Sequence, residues 1–84
     1  MKYQVLIIPS AEHELDALPN DTFEHIITRI LQLAENARPK GAKKLTDRQE
    51  YSLRIGSYRV LYEIDDKKKR VCIVAVQHRK DAYK

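Results

Sequence analysis

Tyr51-Ser52-Leu53-Arg54-Ile55-Gly56-Ser57-Tyr58-Arg59-Val60-Leu61-Tyr62-Glu63-Ile64 is the stretch that decides the fold. On either side of Gly56-Ser57 the side chains alternate with a period of two. Tyr51, Leu53 and Ile55 alternate with Ser52 and Arg54; Tyr58, Val60, Tyr62 and Ile64 alternate with Arg59, Leu61 and Glu63. That period belongs to strands with one face on a core. A two-residue connection with Gly first suits a type II′ turn, whose first central residue needs a positive φ. The stretch therefore reads as a β-hairpin in which Ile55 pairs with Tyr58 and Arg54 falls opposite Arg59, with Cβ atoms about 4.5–5.5 Å apart. Like charges so placed repel one another unless an anion sits between them. The pair either grips a phosphate, which two guanidinium forks match in shape and charge, or splays into solvent on an open face. The pairing alone does not choose.

Outward from the hairpin, 65–69 is a polar turn and 70–77 a third strand. That strand is apolar on both faces, so it belongs inside a sheet. Upstream, 40–49 is polar and basic around a lone Leu45 and reads as a loop. Near the N-terminus, 3–8 is β-branched and aromatic, a short buried strand. Pro9-Ser10 stops it, and Ser10 is the expected cap of a helix running to about Leu18, with Glu12 and Glu14 near its positive end. Pro19-Asn20 breaks the chain again, and Asn20 or Asp21 should cap a second helix. Its apolar stripe is Phe23, Ile26, Ile27, Ile30, Leu33, Ala34 and Ala37, closed by Arg38-Pro39. The fold class is thus α+β: an N-terminal strand, a two-helix hairpin and a three-stranded antiparallel meander, with the helices on one face of a small sheet. The first strand should lie beside a later one, in a direction the pattern does not give.

With 84 residues the chain is expected to be a single domain, 1–84, with a modest core to which a tight partner adds stability. Hydrophobic residues at 43% and charged residues at 33% fit a globular chain rather than a disordered one. No apolar run approaches the roughly 20 residues of a membrane span. Residues 3–8 are too short for a secretory signal. Cys72 is the only cysteine, which excludes an internal disulfide and points to a reducing, cytoplasmic setting. A net charge of +4 favours a polyanionic partner. One cysteine with the scattered His13, His25 and His78 lacks zinc-ligand spacing, so no metal is expected. Two glycines cannot build a phosphate loop, and Asp65, Asp66 and Asp81 show no paired-carboxylate pattern; no cofactor is implied. Cys72, Tyr58 and Tyr62 are assigned to packing, and Lys67-Lys68-Lys69-Arg70 to a solvated turn able to touch RNA.

The remaining candidates flank the hairpin. Lys43 and Lys44 precede it, and Arg79, Lys80 and Tyr83 follow the third strand, where they could fold back beside Arg54 and Arg59. Cations for the backbone and a ring for stacking are the usual means of holding single-stranded RNA. His78 suits proton transfer near neutral pH, and equally suits a structural place at a strand end.

The run 53–64 resembles the central hairpin of RelE-type toxins. Val76-Gln77-His78-Arg79-Lys80-Asp81-Ala82-Tyr83 resembles that family's C-terminal basic segment ending in tyrosine, and Arg38-Pro39-x-Gly41-x-Lys43-Lys44-Leu45 fits its upstream stretch. The resemblance spans essentially the whole chain. It implies a ribosome-dependent endoribonuclease that cuts messenger RNA in the ribosomal A site, beside ribosomal RNA, and is silenced by a cognate antitoxin in a hetero-oligomeric complex. The RNA's own 2′-hydroxyl would attack the adjacent phosphorus and leave a 2′,3′-cyclic phosphate without a metal. Matched position by position, the resemblance implies that Arg59 and Arg79 contact the scissile phosphate and that Arg54 is the basic strand residue. It makes Tyr83 a general base or a stacking platform. Ser52 departs from the pattern where some members carry a second lysine. A ParE-like gyrase inhibitor and a non-catalytic RNA- or protein-binding module are the rival readings on the same fold.

Overall fold

The computed structural model describes residues 2–45 and 49–78. The alternation about Gly56 becomes strands β3, Glu50–Ile55, and β4, Tyr58–Asp65, followed by β5, Arg70–His78. These three form the expected antiparallel meander, and two further strands extend it. β1, Gln4–Ile7, pairs parallel with β5, and β2, Ala42–Lys44, pairs antiparallel with β3. The sheet order is β1-β5-β4-β3-β2. β1, β3 and β5 therefore run one way, and β2 and β4 the other.

β2 corrects the reading of 40–49 as a loop. Three residues are too few to display a period, and Lys43 and Lys44 are residues that guard an edge strand rather than fill a core. The strand exists because β3 offers it a ladder: Ala42 pairs with Leu53, Lys43 with Ser52 and Lys44 with Tyr51. Gly41, at φ +97°, turns the chain into that register.

The helices also begin and end differently from expectation. α1 spans Pro9–Asp16, with Ile8 rather than Ser10 at the cap, because proline's fixed φ favours the first helical position. α2 spans Asn20–Gln32 with Pro19 at the cap, so neither Asn20 nor Asp21 caps it. It stops before the apolar stripe does, and Leu33 and Ala37 stay buried beyond its end, well short of Arg38-Pro39.

Ala11 and Leu15 of α1 and Ile26 and Ile30 of α2 bury against one face of the sheet, with Leu53, Ile55, Val60, Tyr62, Val71, Ile73 and Val76 facing them. The Tyr62 hydroxyl donates to the Ala37 carbonyl at 2.9 Å and so pins the segment after α2 to the sheet. β1 covers β5 only as far as Ile73. Past that point the Val76 N–H donates to the Glu14 carboxylate of α1 at 3.0 Å, so the helix completes the edge. Among the described residues no helix is long and apolar enough to cross a membrane.

The opposite face of the sheet carries no helix. Cys72 lies there, opposite Glu63 and Leu6, and is half-buried rather than part of the core to which the sequence assigned it. Its thiol is pushed up in pKa, by burial first and by the Glu63 charge second, which makes it a weak nucleophile.

Candidate nucleic-acid interface

Gly56 takes φ +59° while Ser57 keeps to the ordinary side of the map, as a type II′ turn requires. The turn sets Ile55 against Tyr58, and hence Arg54 directly against Arg59. Arg59 in turn faces Gln77 on β5. Because Ile55 and Val60 are buried on the helix side, strand alternation sends Arg54 and Arg59 to the open face. Lys43 pairs with Ser52 on that same face, which makes it the diagonal neighbour of Arg54, roughly 7–8 Å away along the backbone. Three cations from β2, β3 and β4 thus meet at the hairpin end of a face that no helix covers.

Other expected site residues lie elsewhere. Lys44 pairs with Tyr51, whose ring stacks on buried Tyr62 at 5.7 Å, so Lys44 belongs to the helix side. His78 pairs with Tyr58 and meets its ring edge-on at 5.0 Å. Tyr58 packs against the core, so the structure sets His78 on the opposite side of the sheet from the arginine row. His13 and His25 are exposed on the helices. Arg79, Lys80 and Tyr83 lie outside the described residues. No group of three or more potential metal ligands occurs among the described residues.

A second polar cluster escaped the sequence reading. Arg38 forks onto Asp66 through two hydrogen bonds, of 3.2 and 2.9 Å, and its Nε donates to the Tyr51 hydroxyl at 3.0 Å. The Tyr3 hydroxyl donates to the same carboxylate at 2.6 Å. The Arg38 and Tyr3 hydrogen bonds, in that order, hold the Asp66 carboxyl down to about 2, while that carboxylate raises the Arg38 guanidinium and the Tyr3 phenol. The cluster clasps β1, the segment after α2, β3 and the β4–β5 turn. It engages Arg38 away from the arginine row, so Arg38 adds nothing to the open-face charge. The one hint in the sequence is the Arg38-Pro39-x-Gly41 run, because partners 13 and 28 residues away leave no local pattern.

Two hollows frame the hairpin. One of about 280 Å³ lies between the start of α2 and the β3–β4 turn, lined by Asp21, His25, Ile55 and Tyr58 among others. A cleft of about 770 Å³ opens at the other end of the uncovered face, lined by Leu6, Glu63, Arg70 and Cys72 among others.

This geometry has known relatives. The family model described as "ParE toxin of type II toxin-antitoxin system, parDE" matches residues 5–83. The chain belongs to the RelE/ParE family of type II toxin–antitoxin toxins. Toxin RelG of Mycobacterium tuberculosis is 32% identical to this toxin, across 100% of this chain and 99% of that protein. The toxin–antitoxin complex RelBE2 from the same organism contains a chain that superposes with a TM-score of 0.84 at 29% identity, covering 94% of this chain and 100% of its own. The archaeal RelE–RelB complex of Pyrococcus horikoshii gives a TM-score of 0.81 at 25% identity, covering 94% and 97%. On this family's sheet, the toxin presents a cation row suited to an anion with two or more acceptor oxygens.

Proposed function

We propose that this toxin is a ribosome-dependent endoribonuclease that cuts messenger RNA in the ribosomal A site without a metal. The observation that carries the reading is the register of Arg54 against Arg59 on the uncovered face, with Lys43 beside them. Two opposed guanidinium groups raise the energy of an isolated sheet and lower that of a bound phosphorane, which is the relation catalysis requires. In the reaction the RNA 2′-oxygen bonds to the adjacent phosphorus and the 5′-oxygen leaves. One proton passes from the 2′-hydroxyl to a base, and one reaches the departing oxygen. Arg54 and Arg59 supply fixed positive charge where the extra negative charge develops. Arg79 and Tyr83 are assigned to the phosphate and to proton transfer or stacking through the family resemblance. His78 faces away from the row and is assigned to packing against Tyr58.

A cognate antitoxin in a hetero-oligomeric complex is the proposed silencing partner, supported by relatives whose solved forms are toxin–antitoxin complexes. Ribosomal RNA, met through Lys43, Lys44 and Lys80, and a cytoplasmic setting complete the proposal. The ParE-like reading, inhibition of DNA gyrase, draws on the wording of the matching family model. Induced expression separates the two. Primer extension should reveal new messenger ends within reading frames, and Arg59→Ala should abolish them together with growth arrest. Chromosomal breaks with intact messengers would establish the gyrase reading instead.

A further inference from the structure

On the uncovered face, the rows of residues paired across β3, β4 and β5 change sign along the strands. Arg54, Arg59 and Gln77 form one row; Ser52, Leu61 and Ala75 the next; Glu50, Glu63 and Cys72 the third. Four strand residues separate Arg59 from Glu63, about 13 Å at roughly 3.3 Å per residue. Two carboxylates set directly opposite one another are as unhelpful to the sheet as two arginines. Glu63 is exposed, and its charge is felt at the Cys72 thiol across the strand pair, so it acts on this face. Asp65, two residues further along β4, faces Arg70 and the two offset one another, which leaves the third row negative.

We propose that the Glu50–Glu63 pair is a repulsive boundary that confines single-stranded RNA to the Arg54–Arg59 end of the face. The proposal rests on the arginine row being the RNA track. A strand of RNA crossing that row and continuing along the sheet would bring its next phosphates over two carboxylates of the same sign. Holding one phosphate about 5 Å from one carboxylate in water weakens binding about fourfold. The middle row, Ser52, Leu61 and Ala75, is uncharged and suits a base or nothing at all. RNA free in solution therefore gains only the short arginine contact, and a longer hold on the message must come from whatever presents it. The glutamates set how much RNA the toxin binds unaided.

The test uses the full chain and a labelled 2′-O-methyl oligouridine, which cannot be cut through a 2′-hydroxyl. Fluorescence anisotropy across a salt series compares wild type with Glu63→Gln, Glu63→Lys, Arg59→Ala and Glu24→Lys; thermal unfolding of each variant confirms folding. Glu24 is exposed on α2, on the other side of the molecule, and controls for net charge alone. Glu63→Gln should tighten binding about fourfold at low salt. Glu63→Lys should tighten it further and steepen the logarithmic salt slope by about 0.7, one added phosphate contact, while Glu24→Lys should leave the slope unchanged. The proposal is overturned if both Glu63 variants bind as wild type does while Arg59→Ala loses binding, or if Glu24→Lys matches Glu63→Lys. If Arg59→Ala binds as tightly as wild type, the arginine track itself is wrong and the boundary falls with it.

Discussion

Arg54 and Arg59 face each other because one glycine at the turn fixes the register, and their roles differ from those of ordinary surface cations. A lysine at either place keeps the charge but loses the planar fork that meets two phosphate oxygens at once. In the proposed reaction Arg59→Ala should lower single-turnover cleavage about 100-fold or more, and Arg59→Lys should recover only part of that loss. Quench-flow with a cleavable message checks both. Tyr62 is the contrasting case. It is fully buried, its phenol is pushed up to about 12, mainly by burial, and so it stays a hydrogen-bond donor to Ala37 at any working pH. Tyr62→Phe should cost about 1–3 kcal/mol by leaving a carbonyl unsatisfied, read as a shifted urea midpoint. The change touches nothing in the arginine row. At this scale the sequence showed which tyrosines pack, since Tyr58 and Tyr62 share a period with the core residues. It misplaced Cys72, because an apolar strand does not say which of its faces the helices cover.

Elements were legible where a pattern is long or a turn is chemically demanding. The β3–β4 hairpin follows from alternation plus Gly56, and β5 from its unbroken apolar run. β2 was hidden because its pairing is supplied by β3 rather than by its own residues. The cap assignments failed because Pro9 and Pro19 fix where each helix starts more strongly than Ser10 or Asn20 can. The Arg38–Asp66–Tyr3 clasp joins residues up to 63 apart in sequence, beyond any local signal. Two predictions belong here. Gly56→Ala meets no steric obstacle around the new Cβ, so its cost is the positive φ alone, about 1 kcal/mol, measured by denaturant titration. Asp66 has a carboxyl held below its unfolded value, so it stabilises the fold above the unfolded carboxylate range near pH 4, and that contribution disappears as pH falls toward 2. Thermal melts of wild type and Asp66→Asn should therefore differ at neutral pH and converge between about pH 4 and pH 2.

The whole molecule joins a small core to a charged, helix-free sheet face. A chain of 84 residues carries about 4–12 kcal/mol of total stability at typical values per residue, so one core truncation takes a large share. Ile30→Ala, at a fully buried position, should cost about 2–5 kcal/mol by calorimetry. A bound antitoxin should restore the melting temperature of that variant by mass action. Fold class, the arginine pairing and the family were all within reach of the sequence. The separation of His78 and Lys44 from that pairing was not, because it depends on which side of the sheet the helices occupy. The most direct measurement of the central claim mixes purified toxin with ribosomes programmed with a defined message and maps the RNA ends and their chemistry. Cleavage should leave a 2′,3′-cyclic phosphate, and Arg54→Ala with Arg59→Ala should all but abolish it. An uncut message, or cutting undiminished in the doubly substituted chain, would contradict the account.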